Sequence, residues 1–389
     1  MIARIIIPLI LLILLPELYI DLHYLRRRRQ FSWKKRLLWW IPASVMLVWA
    51  VCLAFSRNFA PENLDWLFWF LLLVGLLIVP KAVFALCSFL GWQWCRLRKK
   101  RLNWGNLIGF FLAVGSIVAL IYGSTIGFSR LKVRHLEYAN NQLPKSFDGY
   151  RVVLFSDLHV SSYTGSRQKL LQRTIDSINA QQPDAIFFVG DIQNIQPQEL
   201  YPVMQMLSHL QAKDGVYSVL GNHDYSYYLR NADDAIKAAN EKEVINREKQ
   251  MGWTLLQNEH QAIRRGKDSI VVAGMENYSK PPYPAPGDAK KAMEDVKEGA
   301  FTVMLQHDPY AWRKTILPDT HAQLTLSGHT HGGQVTLFGW SPIALINREW
   351  DGWYHDGGRS LFVTRGVSGF IPFRLGCPGE IIVLTLRCK

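Results

Sequence analysis

Gly221-Asn222-His223-Asp224 is the stretch whose reading decides the fold. It follows the apolar run Val216 to Leu220, which reads as a short strand. Alone, such a tetrapeptide is a turn, with Gly221 allowing the backbone to reverse sharply. It has four companions. Asp157-Leu158-His159 ends Val152 to Phe155, and Gly190-Asp191 ends Ala185 to Val189. His307 ends Phe301 to Leu305, and Gly328-His329-Thr330-His331 ends Leu324 to Leu326. Continuous apolar runs of this length suit parallel strands buried on both faces. Open α/β sheets place their ligands at the carboxyl ends of such strands. The five strand ends therefore converge on one site.

That site would hold Asp157, His159, Asp191, Asn222, His307, His329 and His331. Carboxylate, amide oxygen and imidazole suit Mn, Fe, Zn, Co or Ni rather than Ca or Cu(I). Seven groups exceed one tetrahedral site but suit two divalent ions that share a carboxylate. Such pairs clamp the attacking and leaving oxygens in a displacement at phosphorus. His209, His260, His321 and His355 belong to no such turn and read as surface residues. Tyr225, Tyr227 and Tyr228 either line a cleft or cover the loop, and Arg374 either meets phosphate or makes a surface ion pair.

The net charge of +13 points at first to nucleic acid, but its distribution argues otherwise. Residues 1–130 hold 16 Lys+Arg against 4 Asp+Glu, leaving 28 against 27 for residues 131–389. The excess lies in an apolar third of the chain, where it reads as membrane topology. No nucleic-acid partner is expected; the expected partners are a phospholipid bilayer and a phosphoester substrate. Four spans are predicted, at about 5–20, 37–55, 66–90 and 107–128, the first short for a full crossing. Pro80 predicts a kink in the third, and Lys81 either snorkels or faces a neighbouring helix. Arg26 to Arg36 carries seven basic residues and Arg96 to Arg101 five, whereas Arg57 to Asp65 carries one. Both basic loops should be cytoplasmic, which puts everything after Ser129 outside the cytoplasm, in a multi-pass protein of the plasma (inner) membrane.

Residues 131–149 read as a polar linker, and residues 150–389 as one domain. Strand, helix and strand alternate from Arg151, with a helical face at Leu170, Leu171, Thr174, Ile175 and Ile178 and a helix near 198–211, as parallel strands with crossover helices require. Residues 231–250 read as an exposed helix, and strands near 271, 303, 324, 335, 361 and 382 complete two sheets. Ser279 to Gly287, with four prolines, reads as a loop. The chain contains no Cys-x-x-Cys, which excludes a zinc ribbon or a thioredoxin-like site. Cys377 and Cys388 either pair outside the cytoplasm or stay free.

The five blocks, in this order and spacing, resemble the calcineurin-like metallophosphoesterase superfamily over about 240 residues from Tyr150. The four apolar runs, with Arg365-Gly366 and Pro372-Phe373-Arg374, resemble its membrane-anchored bacterial branch. The resemblance implies an α/β fold, a four-layer α/β/β/α sandwich behind an all-α transmembrane region of about four helices. It implies one ion on Asp157, His159, Asp191 and His331, and a second on Asp191, Asn222, His307 and His329. Asp191 bridges them, with Mn the first choice of metal. His223 would protonate the leaving oxygen, and Asp224 would orient or tune His223. Many relatives carry Asp where this chain has Asn194, which bears on ion preference. The implied activity is hydrolysis of a phosphodiester or pyrophosphate, lipid- or envelope-linked. The alternative within the family is UDP-2,3-diacylglucosamine hydrolysis in lipid A synthesis, whose substrate faces inward. The alternative outside enzymes is a non-catalytic metal-binding scaffold, which would be expected to have lost a ligand or His223.

Overall fold

The computed structural model describes residues 2–55, 64–229, 232–281, 283 and 285–389. Its chain divides into two compact units, Met1–Ser124 and Thr125–Lys389.

The first unit is helical: α1 (Ile6–Ile20), α2 (Trp33–Phe55), α3 (Leu64–Leu73), α4 (Val79–Arg98) and α5 (Trp104–Tyr122). Together with their terminal turns they form four apolar runs, Ile2–Leu25, Trp33–Phe55, Leu64–Arg98 and Trp104–Gly127. Each is long enough to cross a bilayer. The first run is longer than the sequence suggested, because the charges that seemed to end it are paired. Glu17, fully buried, meets Lys81 of α4. Asp21 accepts two bonds from Arg36, at 2.6 and 2.7 Å. Lys81 thus faces a neighbouring helix, and its ammonium also lies 4.4 Å from the Trp39 ring centre. Pro80 acts as expected: it cannot donate to the preceding turn, and a π-helical turn, Val74–Ile78, stands just before it. Of the loop Arg57 to Asp65, residues 57–63 lie outside the described residues.

The second unit stacks two six-stranded sheets. Its strands are β1 (Leu131–Asn140), β2 (Arg151–Phe155), β3 (Ala185–Val189), β4 (Val216–Val219), β5 (Thr254–Leu255), β6 (Glu259–Arg265), β7 (Asp268–Gly274), β8 (Thr302–Leu305), β9 (Leu324–Ser327), β10 (Gly352–Asp356), β11 (Arg359–Val363) and β12 (Gly379–Cys388). One sheet runs β1-β12-β2-β3-β4-β5, the other β10-β11-β9-β8-β7-β6. The facing sides hold Leu154, Phe187, Val219, Val272, Val303 and Leu326 in one core. A second core lies where α6 (Gln168–Asn179) covers the first sheet with Leu171, Ile175 and Ile178.

Three expectations change. Residues 131–140 are not a linker: β1 pairs with β12 along ten residues. Its charged residues Lys132, Arg134 and Glu137 suit an edge strand and masked its alternation. The helix expected over 198–211 is a turn at Pro197–Leu200 and a one-turn helix, α7 (Met204–Leu207), with Pro202 between them. The strand near 335 is a single bridge, Val335 to Leu375. The helix expected over 231–250 is α8 (Asp234–Gln250), capped by Asp233. In the proline-rich loop, residues 282 and 284 lie outside the described residues.

Candidate metal centre

β2, β3, β4, β8 and β9 all deliver their next residues to one end of the sandwich. The turns there are tight. Asp157, His159, Asp191, His329 and His331 all have positive φ, between 43° and 71°. Left-handed backbone is uncommon outside glycine, although Asp and His tolerate it better than most, and an instance can cost on the order of 1–3 kcal/mol. Such a cluster marks a functional constraint more than a packing one. Gly221 is required by contact: a Cβ there would lie 2.2 Å from Asp191 Oδ1.

Six of the seven expected ligands come together here. Asp157, His159, Asp191 and His331 offer atoms within 4.8 Å of one another, and so do Asp191, His307 and His329. Asp191 belongs to both groups. His159 Nε2 lies 3.6 Å and His307 Nε2 3.1 Å from Asp191 Oδ2. His331 Nε2 lies 3.7 Å from Asp157 Oδ1. The far nitrogens are anchored. His307 Nδ1 meets the Val189 carbonyl at 2.7 Å and His331 Nδ1 the Ser368 carbonyl at 3.3 Å. This leaves Nε2 of each ring aimed inward, as metal-binding histidines require. Ser156 Oγ donates to Asp157 Oδ2, and His223 N donates to Asp191 Oδ1 at 2.9 Å.

A divalent pair fits these residues. Both ring nitrogens of His159 and Oδ1 of Asn222 are buried without a hydrogen-bond partner. Buried polar atoms are rarely left so, and an ion supplies the missing partner. Asn222 commits its other amide atom, Nδ2, to Tyr228 Oη at 2.7 Å. The electrostatics agree. Burial opposes the charge on Asp191, but His307 and its neighbours override it and hold the carboxyl well below the usual range. Burial, with His223 next, pushes His159 well below its ordinary value, so it stays a neutral donor. Burial also lowers His331, to about 4, against the pull of Asp157. An anionic carboxylate beside the neutral imidazoles of His159 and His331 is electron-rich. Burial lowers His307 too, but Asp191 overrides it and raises the ring to about 10, so an ion there would have to displace its proton.

Residues 150–333 match the calcineurin-like phosphoesterase family. Residues 3–128 match the probable transmembrane domain of calcineurin-like phosphoesterases. The chain belongs to the calcineurin-like metallophosphoesterase superfamily. A zebrafish (Danio rerio) transmembrane protein with metallophosphoesterase domain is 30% identical over 69% of this chain and 60% of its own length. The uncharacterized metallophosphoesterase YkuE of Bacillus subtilis is 29% identical over 71% of this chain and 93% of its own. The chain thus spans less than two thirds of the zebrafish relative. The phosphopantetheinyl hydrolase of Mycobacterium tuberculosis superposes with a TM-score of 0.36 at 13% identity, covering 55% of this chain and 88% of its own.

Within this metallophosphoesterase site, two neighbours sit differently from expectation. The Asp224 carboxylate does not reach the His223 ring. It accepts from the backbone N–H groups of Asp191, Ile192, Gln193 and Gly221, at 2.8–3.2 Å, so it ties the β3 and β4 turns together. The His223 ring instead places Nδ1 2.5 Å from the Asn194 carbonyl, which only an Nδ1–H can satisfy. Tyr228 stacks on it at 4.2 Å and Phe370 flanks it at 5.7 Å. Arg374 is fully buried and donates to the carbonyls of Arg365, Gly366, Ser368, Cys377 and Pro378. It braces the loop behind His331 from a fully buried position, its guanidinium turned to main-chain carbonyls. Cys377 and Cys388 are both free, beside the His331 and Leu143 carbonyls respectively.

The sequence reading missed Asp308, whose Oδ2 lies 3.5 Å from His329 Nε2. It also missed Gln193, which holds the His223 and Asp224 carbonyls through Nε2. Adjacency to His307 and Asp191 was the available signal. A cleft of about 470 Å³ opens over His329 and His331, lined also by Lys280, Tyr283, Asp308, Gln334 and Ile346.

Proposed function

We propose that this protein is a membrane-anchored, dinuclear-metal phosphoesterase that hydrolyses a phosphodiester or pyrophosphate bond. The observation that carries the reading is the sharing of Asp191 by two ligand groups. Asp157, His159, Asp191 and His331 would hold one divalent ion. Asp191, Asn222, His307 and His329 would hold the other, with Mn the first choice. When bound, such a pair supplies Lewis acidity toward phosphoryl oxygens and activates water for attack.

The chain's own residues do the rest. Asp157 and Asp191 would be the carboxylate ligands of the pair. Asp224 locks the two turns whose side chains must keep register. His223, with Nδ1–H held by Asn194, would act through Nε2, giving the Nε2 proton of its imidazolium form to the leaving oxygen and keeping the Nδ1 proton. Tyr228 and Phe370 keep that ring from rotating. The basic loops Arg26 to Arg36 and Arg96 to Arg101 support an extracytoplasmic catalytic unit at the plasma membrane. That placement disfavours a cytoplasmic UDP-linked substrate.

The test is hydrolysis of bis(p-nitrophenyl) phosphate by the full chain in detergent, after metal depletion and after return of Mn. Turnover should vanish on depletion and come back with Mn. Turnover that persists once metal analysis reads near zero would sink the reading. A fragment starting at residue 145 is a poor substitute, since it lacks β1.

A further inference from the structure

The loop that follows His331 carries an apolar surface that no core absorbs. Leu337, Phe338, Trp340, Leu345 and Ile346 are exposed, Phe338 completely. Apart from Ile126, at the end of the last helical run, the other exposed large apolar side chains described in the second unit are Tyr201 and Ile236. Apolar exposure gathered on one loop marks an interaction surface. The loop is held in shape. Leu337 and Trp340 exchange two backbone bonds, at 2.9 and 3.0 Å, around a turn that keeps Phe338 and Gly339 at its tip. Phe338 adopts φ 53° there, a conformation unfavourable for a bulky residue. Nothing packs on it in return.

Position, charge and shape indicate what covers this loop. First, the chain enters the second unit from the last apolar run at the metal end. Leu131 pairs with Gly379, at the start of β12, which runs antiparallel to β2. Phe128 packs on Tyr163, in the turn after His159, with ring centres 6.0 Å apart. The loop stands at the same end, since Gln334 at its foot donates to the carbonyls of Ile371 and Phe373. Ser162, in the turn beside Tyr163, donates to the neighbouring Gly369 carbonyl. The last apolar run ends at Gly127 and β1 starts at Leu131, so only a short stretch of chain separates that end from the spanning segment. Second, exposed Lys280, Lys314 and Arg348 gather around Ile346, at the far end of the same loop, and Lys280 Nζ meets the Ile346 carbonyl at 3.0 Å. Apolar tips beside cations are how peripheral segments enter an anionic interface. Third, Ile343 and Ile346 also line the cleft over His329 and His331.

We infer that the loop 337–346 inserts into the bilayer interface and that the adjacent cleft takes the phosphodiester headgroup of a lipid resident in that bilayer. This rests on the hydrolytic reading above. Hydrolysis of such a diester adds water across one P–O bond. It leaves a phosphomonoester and an alcohol that receives the proton from His223.

The experiment uses the full chain reconstituted in vesicles of phosphatidylethanolamine and phosphatidylglycerol. A fluorescent amino acid replaces Phe338, and quenching by brominated phospholipid is read. Turnover is then compared for two probes with the same leaving group, soluble bis(p-nitrophenyl) phosphate and a p-nitrophenyl phosphodiester of diacylglycerol embedded in the vesicle. The inference expects strong quenching. It also expects Phe338→Asp with Trp340→Asp to lower turnover of the embedded probe at least tenfold and to leave the soluble one within twofold. An unquenched label, or an equal loss on both probes, overturns it. If the unsubstituted chain cleaves neither probe, the hydrolytic reading fails, and quenching alone still decides the loop.

Discussion

The helical unit and the metal-bearing unit both bury polar side chains, but they treat them differently. In the helices, Tyr24 Oη contacts Ser88 Oγ at 2.5 Å and Asn106 Oδ1 at 2.8 Å, Ser88 Oγ reaches Asn106 Oδ1 at 2.7 Å, and Glu17 has Lys81. These groups close on one another and fix how helices pack. At the metal end, His159 and Asn222 keep atoms buried and open, and five residues sit in left-handed backbone to hold them there. In the helices, too, Glu17 Oε2 and the Trp39 and Trp49 indole nitrogens are buried without a hydrogen-bond partner. What sets the metal end apart is that its open atoms belong to candidate metal ligands, His159 among them.

The contrast is broken most severely at Asp191. Asp191→Ala should strip both ions and reduce phosphodiester turnover to background, read by metal analysis beside kinetics. Retention of two ions would show that the groups do not share it. His223→Ala should keep both ions and lose about 10²–10⁴-fold in kcat, less for a good leaving group. Loss of an ion would make His223 a ligand instead. In the helices, Lys81→Met strands a buried Glu17 and should cost about 3–5 kcal/mol of stability. Adding Glu17→Gln should restore most of it, measured by thermal unfolding in detergent. A double variant no more stable than the single one would mean the pair is not the source.

An effect of comparable size, but confined to high pH, concerns Glu248 of α8, buried against Ser218 Oγ, whose carboxyl burial pushes up to about 8. Its proton is bound more tightly in the folded state than in the unfolded one. The stabilisation is therefore full below about pH 4.5 and is lost as pH rises through about 8. Glu248→Gln should flatten this decline, gaining up to roughly 4 kcal/mol over the parent above pH 8. Parallel stability profiles for the two proteins would show that Glu248 ionises freely.

The strands that carry the ligands were legible because they are buried on both faces, so Val152 to Phe155 and Ala185 to Val189 have no polar side to blur them. β1 was not, since an edge strand with Lys132, Arg134 and Glu137 on view resembles a joint. The ligand set was visible as seven residues at strand ends, because each turn announces itself locally. What Asp224 and Arg374 touch was not visible. Their partners are main-chain groups, which leave no trace in side-chain identity. The apolar loop 337–346 drew no reading beyond the strand near 335, because a hydrophobic residue looks the same in sequence whether it faces a core or a bilayer.

The strand order has a consequence for biogenesis. β12, the last strand made, lies between β1 and β2, the first two. While the ribosome is still adding residues before Gly379, β1 has no neighbour and the edge of β2 is bare. The helices can integrate as they emerge, but the first sheet cannot close until translation passes β12. A nascent chain stalled near residue 375 should therefore be cleaved readily by protease after Ser129, and one extended past Cys388 should resist. The helices ahead of it then act as a tether that holds an unfinished domain in place until its final strand arrives.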